Sequence, residues 1–242
     1  MSADCVGFIT PPDWFDPSPS EFPTLVDGGI RTQQTILELP EFDWRIESIA
    51  QTESLQQRAA RQLAAAGCNL TAITGTPFGW AGLTSIADAH SRDQRLADFS
   101  GVPHMSMAAA IFDWLQIHSI KRVGLACTYY SPEWIEAWSA SVSAAGFETV
   151  CHGFIEDGWM PLEGAMTPEF WTPAGDRIRG SVRNLLESAS DVEAVVISGS
   201  GSRTLGVIET LRSDHGIPII GSDTALYRAI ARHLKIELNI AL

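Results

Sequence analysis

The chain has 242 residues, of which 45% are hydrophobic and 19% are charged, and its formal net charge at pH 7 is −13. This length can bury the core of one large domain or of two small ones. The acidity excludes proteins that bind nucleic acid or anionic membranes through a basic surface, because phosphate groups would repel the chain. A local site made of backbone N–H groups can still bind a small anion.

The chain contains no run of about 18 apolar residues, so the sequence predicts no membrane-spanning segment. Its start, MSADCVGFITPPDW, lacks the basic stretch of a secretory signal, which favours a cytoplasmic protein. The cysteines are expected to be reduced and mostly buried, because they lie far apart, at Cys5, Cys68, Cys127 and Cys151. The histidines form no cluster with metal-ligand spacing, so no metal site is expected.

In the first part of the chain, short apolar runs alternate with helix-like stretches. Strands are expected at residues 6–9, 70–73 and 102–105. Residues 46–66 have the apolar spacing of a helix, and Gly67 is placed to end it. Ser106 can cap a further helix that runs to about His118.

The same alternation continues to the end of the chain. Strands are expected at residues 123–127, 147–150, 194–197 and 217–220, and a last helix at 224–234. Ser131 and Pro132 have the residue types of a helix N-cap and first position, and Gly146 is placed to close that helix. Continuous apolar strands that alternate with helices predict a parallel α/β fold.

Three sequence segments recur in the same order. VGFIT at 6–10 is similar to VGLAC at 123–127, ITGT at 73–76 to ISGS at 197–200, and VPHM at 102–105 to IPII at 217–220. The repeat predicts two Rossmann-like α/β halves, 1–110 and 111–242, with the final helix able to pack back on the first half. Ligands of such sheets bind at the carboxyl ends of the strands.

Two turns that follow buried strands are the first candidates for a site. Thr74-Gly75-Thr76 and Ser198-Gly199-Ser200 would line one cleft from opposite sides. Their N–H and hydroxyl groups suit a carboxylate or a developing enolate oxygen. The alternative is that both turns are ordinary strand-to-helix connections with glycine at positive φ.

Other residues near the predicted strand ends have two interpretations each. Tyr129 and Tyr130 either donate hydroxyl groups into the cleft or pack at the sheet edge. Asp13 either faces the cleft or belongs to a turn, and Asp223 is expected to cap the last helix rather than to act as a base. Arg203 either holds a carboxylate or is a surface arginine. Three tryptophans could wall an apolar pocket, namely Trp80, Trp159 and Trp171.

The ordered set of segments resembles the Asp/Glu racemase superfamily, and within it the arylmalonate decarboxylase and maleate isomerase branch. The resemblance covers most of the chain and includes GFITPP at 7–12, Gly75-Thr76, Tyr129 and ISGSG at 197–201. It implies two halves related by pseudo-twofold symmetry, with the active site between them.

The resemblance also implies roles for particular residues. Racemases and isomerases of the superfamily have one cysteine in each turn, and arylmalonate decarboxylases keep the second as a proton donor. These positions are Gly75 and Gly199 here, so both thiol acid/bases are expected to be absent. Thr76 and Tyr129 match the groups that hold the oxyanion, whereas a neighbouring serine of the family is replaced by Pro77. Gly199→Cys is expected to place a proton donor beside the retained groups.

The sequence therefore predicts a cofactor-independent decarboxylase, lyase or isomerase that acts on a small carboxylic acid through an enolate-like intermediate, without thiol acid/base. The alternative is a family member that binds a small carboxylate without catalysis. A nicotinamide enzyme ranks last, because the glycine loop at 199–206 only partly matches GxGxxG. A homo-oligomer is left open. The predicted catalytic residues are Tyr129, Thr76 and Ser200, and the predicted substrate-binding residues are Pro12, Asp13, Gly75, Pro77, Tyr130, Gly199 and Gly201.

Overall fold

The computed structural model describes residues 4–39, 42–153, 175–189 and 191–239. Its first half contains a parallel sheet of four strands in the order β2-β1-β3-β4. The strands are β1 (Cys5–Thr10), β2 (Arg31–Ile36), β3 (Leu70–Ile73) and β4 (His104–Ser106). The helices are α1 (Ser18–Glu21), α2 (Ile46–Ala50), α3 (Glu53–Ala65), α4 (Thr76–Trp80), α5 (Ile86–Ser100) and α6 (Met107–Ile117), with a 3₁₀ turn at Phe22–Leu25.

The second half repeats this arrangement, with a parallel sheet in the order β6-β5-β7-β8. The strands are β5 (Arg122–Ala126), β6 (Glu148–Gly153), β7 (Ala194–Ile197) and β8 (Ile219–Gly221). The described helices are α7 (Pro132–Ala144), α8 (Gly175–Ser188), α9 (Ile208–His215) and α10 (Ser222–Leu234). The identical strand order confirms the predicted α/β fold class with two similar Rossmann-like halves.

The strand register places the two candidate turns at equivalent points. Ile9 pairs with Ile73 at the end of β1 and β3, and Ala126 pairs with Ile197 at the end of β5 and β7. Each turn therefore leaves the sheet beside the end of the central strand of its half. In parallel sheets this carboxyl edge is where ligands bind.

Local signals in the sequence explain several element boundaries. The Ser106 hydroxyl accepts the Ala109 N–H at the start of α6, and the Ser131 hydroxyl accepts the Trp134 N–H at the start of α7. Gly146 follows α7 with a φ of +95°, as expected for a residue that ends a helix.

Two predictions of secondary structure are wrong in detail. The single helix expected at 46–66 is divided into α2 and α3, because the Thr52 hydroxyl donates to the Ile49 carbonyl at 2.7 Å and competes with the helical ladder. Strand β2 was not expected, since its residues, RTQQTI, are mostly polar and lie half-exposed at the sheet edge.

The halves share a continuous core. The Trp80 ring of α4 stacks on the Trp138 ring of α7 with centroids 5.3 Å apart, so aromatic side chains join the two halves. Helix α10 follows the second sheet, yet its Leu226, Tyr227 and Ile230 pack in one cluster with Val6 and Phe8 of β1. Among the described residues, no helix is long and apolar enough to cross a membrane.

Candidate active site

The two glycine turns are buried and have matching conformations. Gly75 has a φ of +79° and Gly199 a φ of +93°, a region that favours glycine. The Thr74 N–H donates to the Ile9 carbonyl at 2.9 Å, and the Ser198 N–H donates to the Ala126 carbonyl at 2.8 Å. These contacts fix both turns to the ends of the central strands.

Both turns reach one small cavity between the halves. Its volume is about 20 Å³, which is room for about one water molecule. A substrate therefore enters only when part of the wall moves. The lining residues come from both halves and are mostly aromatic: Pro11, Trp14, Trp44, Gly75, Pro77, Phe78, Tyr129, Trp134 and Ser200.

The space beside each turn glycine is already filled by another side chain. A Cβ atom at Gly75 would lie 2.5 Å from Pro11 Cγ, and a Cβ atom at Gly199 would lie 2.6 Å from Tyr129 Cζ. Neither position can accept a cysteine while these rings stay in place. That Gly199→Cys would add a proton donor stays a prediction, and the structure shows that the Tyr129 ring would have to move to make room for the new side chain.

Tyr129 is the most central of the predicted polar residues. It is 5% exposed, lines the cavity, and its hydroxyl oxygen accepts the Gly201 N–H at 3.2 Å. Burial raises the pKa of Tyr129 above its ordinary value, although the Gly201 N–H opposes this shift. Tyr129 is therefore a neutral phenol at physiological pH and can donate a hydrogen bond.

The other predicted residues are divided between the cavity and its surroundings. Ser200, Gly75 and Pro77 line the cavity with Tyr129. The Thr76 hydroxyl does not line it, and donates instead to the Ser222 hydroxyl at 2.8 Å. The remaining four are buried nearby without lining the cavity, namely Pro12, Tyr130, Gly199 and Gly201.

The structure places Asp13 on the surface, because the chain turns outward there with a φ of +57°. Its neighbour Trp14 lines the cavity instead. Trp80 is buried against Trp138 and does not contribute to the lining. The two other tryptophans considered as pocket walls, Trp159 and Trp171, lie outside the described residues.

The aromatic wall was not foreseen from the sequence. Trp44 follows β2 and carries a φ of +57°, and its carbonyl accepts the Trp134 indole N–H at 3.1 Å. The Trp44 ring lies against Phe78 with centroids 6.4 Å apart. The sequence held no signal for this arrangement beyond the number of tryptophans, since Trp14, Trp44 and Trp134 come from separate loops and helices.

Arg203 is neither a surface arginine nor a group free to bind a substrate. Its guanidinium donates to Glu21 Oε1 at 3.2 Å, to the Ser200 carbonyl at 2.8 Å and to the Tyr227 hydroxyl at 2.5 Å. It also lies 3.5 Å from a carboxylate oxygen of Asp16. These contacts occupy the guanidinium inside the protein.

Asp223 is fully buried in the first turn of α10 and does not line the cavity. Its carboxylate accepts the Thr204 hydroxyl at 2.6 Å and the N–H groups of Thr204 and Thr224 at 2.7 and 2.8 Å. Burial raises the pKa of Asp223 although these donors oppose the shift. These hydrogen bonds join α10 to the segment after β7, so Asp223 has a structural role there.

No cysteine lines the cavity, and Cys127 is fully buried in the segment after β5. Burial raises the pKa of Cys127 to about 12, so its thiol is protonated and unreactive at neutral pH. The described part of the chain holds no group of three or more His, Cys, Asp or Glu side chains able to bind a metal ion. A larger, open groove of about 680 Å³ between α5, β4 and α10 contains none of the predicted site residues.

Residues 6–240 match the arylmalonate decarboxylase family, which is almost the whole chain. The chain belongs to this family. A maleate isomerase from Nocardia farcinica is 30% identical over 136 residues, which are 56% of this chain and 50% of that protein. The match thus spans half the length of that relative.

Solved structures of the branch share the fold. Arylmalonate decarboxylase superposes with a TM-score of 0.73 and 20% identity, covering 94% of this chain and 91% of that one. A cysteine variant of the Nocardia farcinica maleate cis-trans isomerase, with a covalently bound succinylcysteine intermediate, has a TM-score of 0.76 and 21% identity, covering 97% and 94%. These structures show that the fold is shared, and the family match confirms the resemblance to the arylmalonate decarboxylases.

Proposed function

We propose that the protein is a cofactor-independent lyase or isomerase that acts on a small carboxylic acid through an enolate-like intermediate, without a thiol acid or base. The observation that carries the proposal is the filled space at both turn glycines. Pro11 and Tyr129 stand where side chains of residues 75 and 199 would lie, and both line the cavity shared by the halves.

The cavity chemistry suits a decarboxylation. An apolar wall disfavours the carboxylate that leaves, while N–H and O–H donors stabilise the negative charge that develops on the remaining one. When the C–C bond breaks, its electron pair enters the enediolate and carbon dioxide departs. We propose that the hydroxyls of Tyr129 and Ser200 donate to the enediolate oxygen while its charge develops. The Tyr129 proton leaves this hydrogen bond when it passes to the carbon.

The enediolate carbon must then take a proton. We assign this step to Tyr129, because its hydroxyl reaches the space that a residue 199 thiol would use. Burial makes Tyr129 a weaker acid than ordinary tyrosine. An enediolate carbon is a still stronger base than a phenolate, so the transfer runs downhill, and water then returns a proton to the phenolate.

The aromatic wall favours a substrate that carries an apolar or aromatic substituent. The rings of Trp14, Trp44, Phe78 and Trp134 offer faces and edges for such a group. Because the cavity holds only about one water, the substituent must displace part of this wall. A small polar acid would not contact the faces of these rings.

A second candidate is a protein that binds a small carboxylate without turnover. It is favoured by the cavity volume of about 20 Å³ and by the absence of any cysteine among its lining residues. In this case the Tyr129 hydroxyl and the turn N–H groups hold the anion, and no bond is broken. The two candidates differ in whether a product forms.

Proton NMR in D₂O tests the proposal directly. Malonates with phenyl, benzyl or methyl substituents, and maleate, are incubated with the protein, and decarboxylation is detected as an acid that carries one deuterium at its α-carbon. Tyr129→Phe removes a donor to a charged oxygen, which costs about 1.5–3 kcal/mol. Turnover is therefore expected to fall at least roughly 10- to 150-fold, because the variant also lacks the assigned proton donor.

Cys127→Ala is the matched control, because it alters the cysteine that lies two residues before Tyr129 without touching the cavity. This variant is expected to keep the activity of the unmodified protein. Loss of turnover in Cys127→Ala, with Tyr129→Phe unaffected, would refute the thiol-free mechanism. Binding of an acid without product in hours would favour the second candidate.

A further inference from the structure

Behind the second turn, Arg203 is held among carboxylates from both halves. Glu21 of α1 receives its Nε and Nη2 groups, and the Asp16 carboxylate lies 3.5 Å from Nη1. The Asp223 carboxylate of α10 lies 4.0 Å from Nε. The Asp16 and Asp223 side chains are fully buried, so water cannot replace the guanidinium as their partner. These contacts hold the Arg203 guanidinium in the orientation that the structure shows.

One nitrogen of this guanidinium contacts the backbone of the turn. Arg203 Nη1 donates to the Ser200 carbonyl at 2.8 Å. The peptide bond between Ser200 and Gly201 is trans, so its N–H points away from its carbonyl. On that opposite side, the Gly201 N–H donates to the Tyr129 hydroxyl at 3.2 Å.

We propose that Arg203 is a positioning residue for Tyr129, which it orients through the peptide group between Ser200 and Gly201. A cation bound to the carbonyl also polarises the peptide and strengthens its N–H as a donor. The hydroxyl oxygen of Tyr129 is thereby fixed as the acceptor of Gly201, which directs its own proton elsewhere. The catalytic benefit of this arrangement rests on the proposed function, whereas the structural link does not.

The contacts of Arg203 involve residues of both halves of the molecule. Asp16 and Glu21 belong to the first half, whereas Ser200 and Tyr129 belong to the second. Arg203 therefore connects the relative position of the halves to the orientation of the hydroxyl in the cavity between them. Burial raises the pKa of Tyr129 above its ordinary value and the Asp16 charge adds to this shift, whereas the Gly201 N–H and the Arg203 charge oppose it.

The three tyrosines of the chain provide a readout that needs no substrate. Tyr227 contacts Arg203 directly at 2.5 Å, Tyr129 is connected to it through the turn peptide, and Tyr130 touches the ring of Tyr129. Tyrosine labelled with ¹³C at Cζ gives one NMR signal per residue, and its shift reports hydrogen bonding at the hydroxyl. Tyr→Phe variants assign the signals.

Arg203→Lys keeps the charge but cannot reach the carbonyl and the carboxylates together, because a lysine has one donor nitrogen. We expect the Tyr227 and Tyr129 signals to move by more than their linewidths, with Tyr130 moving least. Arg212→Lys is the matched control. Arg212 also donates to a backbone carbonyl, that of Ile219 at 2.7 and 2.9 Å, and all three tyrosine signals should stay in place.

A second variant covers the case in which Arg203→Lys fails to fold. Glu21→Gln keeps a hydrogen-bonding side chain at a position that is 27% exposed, and removes one charge that holds the guanidinium. The Tyr129 signal should move in the same direction by less. A shift of Tyr227 with Tyr129 unchanged, in either variant, would overturn the proposal.

The activity measurement separates this inference from the proposed function. If an acid is turned over, Arg203→Lys should lower kcat more than it raises KM, as expected for a residue that positions the proton donor. If no acid is turned over but the Tyr129 signal moves, the link between Arg203 and Tyr129 stands and the proposed function fails. If an acid is turned over but the Tyr129 signal does not move, the proposed function stands and the link between Arg203 and Tyr129 fails.

Discussion

The substitution Gly199→Ala tests whether Tyr129 fills the space beside the second turn. The new methyl group would meet the Tyr129 ring, with Cζ at 2.6 Å, a distance that forces one of the two groups to move. The backbone adds a second cost, because the φ of +93° is unfavourable for a residue with a side chain. Both effects are expected to lower the free energy of unfolding.

Gly146→Ala separates the two costs. Gly146 has a φ of +95°, close to that of Gly199, and a Cβ atom there would have no neighbour within 4 Å. The backbone cost alone is about 1–2 kcal/mol for a left-handed residue. Overlap with a packed ring adds about 1–3 kcal/mol. Gly199→Ala should therefore be the more damaging change by that second amount.

Thermal and urea unfolding of both variants measure the difference. For a chain of this size, each kcal/mol lowers Tm by about 2–4 °C. Gly146→Ala should thus lose roughly 2–8 °C, and Gly199→Ala should lose clearly more. Adding Tyr129→Ala to Gly199→Ala removes the overlap, so the double variant should cost less than the sum of the single ones. Equal losses for Gly199→Ala and Gly146→Ala would refute the reasoning.

Two further predictions concern titratable side chains. Iodoacetamide at about pH 8 should label at most the half-buried Cys151 in the folded protein, since Cys5, Cys68 and Cys127 are buried away from the reagent and burial raises the pKa of Cys68 and Cys127 to about 12. Peptide mass mapping that finds label on Cys127 would contradict this. Burial raises the pKa of Asp93 to about 7, above the value of about 3.9 in an unfolded chain. Folding then takes up a proton at Asp93, so the contribution of Asp93 to stability should fall as pH rises between about 4 and 7. Tm curves that run parallel for the protein and for Asp93→Asn over this range would refute the assignment.

The sheet architecture was predictable because its strands are continuous apolar runs. Segments such as 123–127 and 194–197 have no polar residue that would suit solvent, and the repeated order of three motifs indicates two similar halves. Strand β2 was not predicted, for the opposite reason. Its sequence, RTQQTI, is mostly polar because the strand lies half-exposed at the edge of the sheet. The family resemblance rested on the same ordered motifs.

For the candidate site, the sequence predicted the backbone turns but not the side chains that line the cavity. Glycine between hydroxyl residues after a buried strand indicates a turn at a sheet edge, which placed Gly75, Gly199 and Ser200 near one cavity. The side chains that shape the cavity come from distant segments, such as Trp44 and Trp134. Asp13 shows the limit of sequence proximity, because one positive φ turns it to the surface and brings its neighbour to the cavity.

The glycines of the two turns and the rings beside them depend on each other. By position in the sequence alone, Gly199 corresponds to a cysteine of the family, and one substitution would be expected to restore the thiol. The structure places the Tyr129 ring in that space, so a thiol at residue 199 and the tyrosine in its present position exclude one another. The same holds for residue 75 and Pro11. A route from this site to one that uses thiols therefore requires paired changes, with a smaller residue at 11 or 129 before or together with the cysteine. Tyr129 thus has two effects in the proposed enzyme. It supplies a proton to the intermediate, and its ring occupies the space that a thiol at residue 199 would need.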